Sequence, residues 1–203
     1  MNAPSKVAGV LHGAPIIKAV KEAGVSHILS VPDLHTAGGL LTPIRSDPDF
    51  KLIRTCKEDE TFGIAAGLTY GDKRALILIQ YTGFLYSMNA IRAIACEHKQ
   101  PMCMMIGLLS KEVGVAPQES KRFGLRIIEP ILDVMGIERH YIDVDEDVVK
   151  IAPAIRAISH SDCSRQSTRA NLFPDESAPD CNHSDTVLTS ISMETSSCTG
   201  TSR

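Results

Sequence analysis

Between about residues 11 and 159 the chain alternates two hydrophobic patterns: amphipathic stretches with apolar side chains at helical spacing, and short unbroken runs of Ile, Leu, Val and Met. Runs of the second kind suit strands buried on both faces, and their alternation with helices builds a parallel sheet covered on each side. The first helix opens near Gly13 with Pro15 in its first turn. It carries Ile16, Ile17, Ala19, Val20 and Ala23 on one broad apolar face and stops at Gly24. Strands are expected over 27–31, 50–56, 75–80, 102–108 and 140–144. A weak helix precedes the second strand, and further helices are expected over 58–70, 85–98, 126–135 and 146–158, two of them closed by Gly71 and Gly136. The fold class this predicts is α/β, a doubly wound parallel sheet flanked by helices.

Past His160 the periodicity is lost, Ser and Thr become dense, and Pro174 and Pro179 interrupt what remains. This composition predicts a folded domain over 1–160 and a disordered, low-complexity tail over 161–203, foreign to the fold and without a convincing last strand. A chain of 203 residues, 43% hydrophobic and 22% charged, suits one well-buried domain plus such a tail. The net charge of −3 gives no electrostatic reason to expect nucleic acid or an anionic membrane as partner. The longest apolar stretch, 101–109, is about half the ~20 residues a membrane-spanning helix needs, and the first eight residues hold no secretory pattern. Cysteines at 56, 96, 103, 163, 181 and 198 form neither a CxxC pair nor a zinc spacing, so thiols in a reducing compartment, the cytoplasm, are expected, with no metal ligands on this chain.

Candidate chemistry gathers where strands end, the edge at which open α/β sheets bind ligands. The run Glu58, Asp59, Glu60 opens a helix directly after the second strand. Capping and compensation of the helix dipole is one reading of three acids there, and a ligand site is the other. The segment from Gln80 through Tyr81, Thr82 and Gly83 to Ser87, Met88 and Asn89 leaves the third strand with a glycine and several hydroxyl and amide groups. It is not a P-loop, and no dinucleotide fingerprint follows the first strand. The helix over 61–69 is rich in small residues, which allows tight packing on the sheet or close approach of a cofactor or another subunit. Two more loops leave strand ends: Val31, Pro32, Asp33, Leu34 and His35, and the long segment 110–123 with Lys111, Lys121 and Arg122, read as a binding loop or as a solvated charged loop. No nucleophile elbow or glycosidase carboxylate pair is present, which removes the hydrolase readings.

The run from Glu58 to Gly67 resembles the helix of thiamine diphosphate enzymes that begins with their cofactor-activating glutamate and reaches an Ala/Gly pair nine positions later. Glu58, rather than Glu60, has that spacing. The run from Gln80 to Ala90, with Thr82-Gly83 and Ser87-Met88-Asn89, looks like the corresponding turn of sulfopyruvate decarboxylase α subunits and phosphonopyruvate decarboxylases. The chain thus resembles the pyrimidine-binding domain of thiamine diphosphate-dependent 2-oxoacid decarboxylases over about 11–158, including the Val31-Pro32 turn and the loop through Lys121, Arg122, Phe123 and Gly124.

The resemblance implies that Glu58 hydrogen-bonds the aminopyrimidine ring and favours the tautomer that takes up the thiazolium proton. It makes Gln80, Thr82, Gly83 and Asn89 cofactor-binding candidates, and Asp33, His35, Lys121 and Arg122 substrate candidates. The substrate class it implies is a small anionic 2-oxoacid such as sulfopyruvate or phosphonopyruvate. Such enzymes hold the diphosphate through Mg²⁺ and a Gly-Asp-Gly motif. These 203 residues contain none, so a diphosphate-binding β-type subunit is expected to carry thiamine diphosphate's Mg²⁺ in a hetero-oligomer. Two alternatives stay open: a catalytically silent subunit of this type, and a flavodoxin-like binding module whose acidic helix start is structural.

Overall fold

The computed structural model describes residues 11–33, 37–112, 114–158 and 186–191. In chain order the elements are α1 (Gly13–Glu22), β1 (His27–Ser30), a π-helical turn (Ala37–Leu41) running into α2 (Thr42–Ser46), β2 (Lys51–Arg54), α3 (Glu58–Tyr70) and β3 (Ala75–Gln80). There follow α4 (Tyr81–Tyr86), α5 (Met88–Ala90) continued as a π-helix over Ile91–Glu97, β4 (Met102–Gly107), a 3₁₀ turn (Pro117–Glu119) and α6 (Phe123–Met135). Last come β5 (Glu138–Ile142), a 3₁₀ helix (Asp145–Lys150), α7 (Ile151–Ala157) and β6 (Thr186–Ile191).

The strands form one parallel sheet in the order β2-β1-β3-β4-β6-β5. Alternate side chains of β1 to β4 enter two separate cores, as the two-residue period of a strand requires. Ile28, Leu76, Leu78, Cys103 and Met105 pack with α1, α2 and α7 on one face. Leu29, Ile77, Ile79, Met102, Met104 and Ile106 pack with α3 to α6 on the other. Burial on both faces is why β3 and β4 read as continuous apolar runs. The doubly wound α/β expectation therefore holds.

Several boundaries differ from the sequence reading, the fifth strand among them, which runs over Glu138–Ile142 rather than 140–144. The helix expected from 85 starts at Tyr81, directly at the end of β3, so Thr82 and Gly83 lie in a first helical turn rather than in a loop. The helix expected from 126 starts at Phe123, and the one over 146–158 is divided into a 3₁₀ helix and α7. The expected absence of a last strand is corrected: Thr186–Ile191 runs between β4 and β5, pairing Leu188 with Met104 on one side and Arg139 on the other. The segment is half Thr and Ser, which reads as polar low complexity, yet Thr186, Val187, Thr189 and Ile191 are β-branched and favour a strand once a sheet receives them. The remainder of the expected disordered tail, 161–185 and 192–203, lies outside the described residues.

Candidate functional site

Strand order reverses between β1 and β3, the place where a doubly wound sheet opens a crevice at its carboxyl edge. β1 and β2 end side by side, with the Thr55 N–H donating to the Ser30 carbonyl at 3.1 Å. From there the three acids that open α3 take different positions. Glu60 folds back and accepts a hydrogen bond from the Cys56 N–H at 3.1 Å, ahead of the helix N-cap Lys57, which has no side-chain cap. Asp59 buries one carboxylate oxygen that has no hydrogen-bond partner among the described residues.

Glu58 is half-buried and reaches toward α4. A β-carbon built on Gly83 would stand 2.4 Å from its Cγ and 2.9 Å from its Cδ and Oε1. Only glycine allows the acidic side chain to lie on the helix backbone at this point. Ser87 secures that turn by donating its hydroxyl to the Gly83 carbonyl at 2.8 Å. No hydrogen bond or ion pair from a described residue engages the Glu58 carboxylate. The site thus presents a half-buried acceptor, shaped by a neighbouring glycine, at the topological switch point.

Gln80, the last residue of β3, is buried and donates Nε2 to Asp33 Oδ1 at 3.0 Å, joining the ends of β3 and β1 across the reversal. Its partner in β4 is Gly107, where a β-carbon would lie 2.7 Å from Gln80 Oε1. Thr82 is exposed one residue before Gly83. Asn89 is exposed and accepts hydrogen bonds from Arg92 Nε and Nη2 at 3.3 and 3.0 Å. A β-carbon on Gly124 would stand 2.7 Å from Tyr81 Cε2, so the first turn of α6 lies on the first residue of α4. That contact brings the loop carrying Lys121 and Arg122 to the same edge.

Lys121 and Arg122 both point to solvent, while their backbone is fixed. Glu112 accepts from Ser120 Oγ at 2.7 Å and from the Lys121 N–H at 3.0 Å, and Ser120 Oγ in turn accepts from the Arg122 N–H at 3.0 Å. The Ser120 hydroxyl, together with backbone N–H groups, holds the Glu112 carboxyl below the usual carboxylate range. His35 lies outside the described residues. The structure therefore brings Asp33, Glu58, Gln80 and Gly83 together, with Thr82 beside them. It leaves Asn89 on the exposed side of α5.

Gly107 and the Tyr81–Gly124 contact were missed by the sequence reading. A glycine at the end of an otherwise bulky strand is the available signal for Gly107, since it marks close approach of a neighbour. No local signal pairs Tyr81 with Gly124.

Among the described residues, no helix is long and apolar enough to cross a membrane, and no group of three or more His, Cys, Asp or Glu could hold a metal ion.

No family model matches the chain. It is 30% identical over 139 residues to sulfopyruvate decarboxylase subunit alpha of Methanocaldococcus jannaschii, an alignment covering 67% of this chain and 79% of that protein. Subunits with the same description from Methanococcus maripaludis and Methanothermobacter thermautotrophicus are 30% identical over 93 residues and 28% identical over 91. Each of these alignments covers 45% of this chain and spans about half, 54%, of the relative. A solved structure from Mycobacterium smegmatis, of a candidate thiamin diphosphate-dependent enzyme, superposes with a TM-score of 0.60 at 14% identity. It shares the fold, and the match spans 91% of this chain but only 31% of that longer one. By its identity to the Methanocaldococcus jannaschii protein across most of both chains, this chain belongs to the sulfopyruvate decarboxylase alpha-subunit family.

Proposed function

We propose that this chain is the pyrimidine-binding subunit of a thiamine diphosphate-dependent 2-oxoacid decarboxylase that acts on sulfopyruvate or a phosphonopyruvate-like substrate. The observation that carries the reading is the Glu58 carboxylate, half-buried at the switch point, laid on Gly83 and without a partner among the described residues. A group that must exchange a proton with a ligand has to be held in place without being consumed by an internal ion pair. Glu58 meets both conditions, and the cofactor fits the site on that ground.

When bound, thiamine diphosphate would supply the sink for the electron pair left on the former carbonyl carbon as carbon dioxide departs. Glu58 would hold the cofactor's pyrimidine ring by a hydrogen bond and exchange a proton with it there. Gly83 leaves room for that carboxylate, and Thr82 and Asn89 are assigned to the cofactor's surroundings. Asp33 is assigned to the substrate and to proton transfer at its end of the crevice. Lys121 and Arg122 are assigned to the terminal sulfonate or phosphonate, which suits two cations on a loop whose backbone is already fixed.

A second, β-type chain holds the diphosphate and its Mg²⁺. The relatives' description as alpha subunits supports this division. The test is carbon dioxide release from sulfopyruvate and from phosphonopyruvate, by the chain alone and mixed with such a subunit, with thiamine diphosphate and Mg²⁺ present. Turnover only in the mixture, reduced about a hundredfold or more by Glu58→Gln, is the expected result. Silence in a confirmed complex that binds the cofactor points instead to a catalytically silent subunit.

A further inference from the structure

Gln80 ends β3 between two different neighbours, β1 on one side and β4 on the other. The residue is 9% exposed, and its amide is engaged from both directions. Toward β1, Nε2 donates to Asp33 Oδ1 at 3.0 Å. Toward β4, a β-carbon on Gly107 would lie 2.7, 3.0 and 3.1 Å from Oε1, Cδ and Nε2, so the amide rests on the Gly107 backbone.

The orientation of this amide is not interchangeable. Rotating it by half a turn would set Oε1, an acceptor, against a carboxylate oxygen that is also an acceptor. As it stands, Oε1 is buried with no donor among the described residues. An acceptor left unpaired in the interior costs free energy, and such a group calls for an explanation at its own position. Here it accompanies a hydrogen bond to an acid beside the proposed site, at a β4 position where a side chain larger than glycine would displace the amide.

We propose that Gln80 is a positioning residue: it acts through Asp33, fixing that carboxylate at the mouth of the switch-point crevice, and Gly107 supplies the clearance it needs. The functional part rests on the decarboxylase reading above, while the Gln80–Asp33 coupling does not. Gln80 then contributes to turnover without touching cofactor or substrate. Asparagine, one methylene shorter, does not span the gap, and glutamate places a second acceptor beside the first.

The experiment is a double-mutant cycle of Gln80→Ala with Asp33→Ala in the assembled, cofactor-loaded complex, paired with amide hydrogen exchange on the full chain alone. Gln80→Glu serves as a shape-preserving second variant. The expected result is a fall in kcat of about tenfold to a hundredfold with KM little changed. No further loss should follow when Asp33 is already alanine, and faster exchange should be confined to 31–33 and its immediate neighbours. Gly107→Ala should reproduce that exchange pattern, and Gln80→Asn should not restore kcat. Additive losses in the cycle overturn the proposal. So does unchanged exchange at 31–33, or exchange raised throughout β1, β3 and β4, which would make Gln80 an ordinary core residue. If the unaltered complex shows no turnover while exchange at 31–33 responds as expected, the decarboxylase reading fails and the coupling stands.

Discussion

Glu58 and Gly83 are in direct contact, with the side chain of the acid occupying the volume that any β-carbon at position 83 would need. Gly83→Ala therefore forces Glu58 to move. An added methyl in a packed place costs about 1–3 kcal/mol, whereas alanine in a helix gains about 1 kcal/mol over glycine, so the two effects on stability partly offset. The effect on the site has no such compensation. Thermal melting of Gly83→Ala should change little, while thiamine diphosphate titration and turnover of the assembled complex should fall about tenfold or more. Unchanged cofactor binding would mean that the position of Glu58 does not matter.

Cysteine reactivity separates the core from the site. Burial in β4 pushes the Cys103 thiol up to about 12, which leaves almost no thiolate at pH 8. Cys56 is exposed, two residues before Glu58. Alkylation followed by peptide mapping should modify Cys56 long before Cys103, and turnover should decline in step with Cys56 modification. Rapid labelling of Cys103 in the folded protein would contradict the packing of β4.

Glu129 on α6 is 7% exposed and faces Tyr141 and Arg139 of β5. Burial raises its pKa from the usual 4.5, against an opposing contribution from Arg139 at 3.6 Å. The folded state thus binds this proton more tightly than the unfolded chain does. Its contribution is fully present below about 4.5 and is lost as pH rises through the raised value. Melting temperatures of the wild type should fall relative to Glu129→Gln across that interval, and parallel curves would show that the carboxyl is effectively hydrated.

β6 is the structural test of the C-terminal segment. It lies inside the sheet, so a proline there removes a ladder hydrogen bond between two flanking strands. Leu188→Pro should lower stability by about 1 kcal/mol or more in urea unfolding, the worth of the lost ladder bond. Deletion of residues 186–203 should lower the melting temperature by many degrees. If truncation leaves the melt unaltered, the segment is foreign to the fold as its composition suggests.

The sequence by itself determined the α/β class, the chain positions of the first five strands and the placing of the acidic run at a strand end. Those features depend on local period and on residues that start or stop helices. Ala75–Gln80 and Met102–Gly107 are legible because strands buried on both faces need unbroken apolar runs, and Glu58 is legible because its spacing to Gly67 lies within one helix.

The tertiary structure alone decided which of three neighbouring acids folds back to the Cys56 N–H and which lies on Gly83. It also tied Gln80 to Asp33, 47 positions away, set Gly124 against Tyr81, and received Thr186–Ile191 between β4 and β5. Each of these depends on elements remote in the chain meeting at one edge of the sheet. Local propensity carries no information about such partners, and a strand half made of serine and threonine is recognisable only by the neighbours that pair with it.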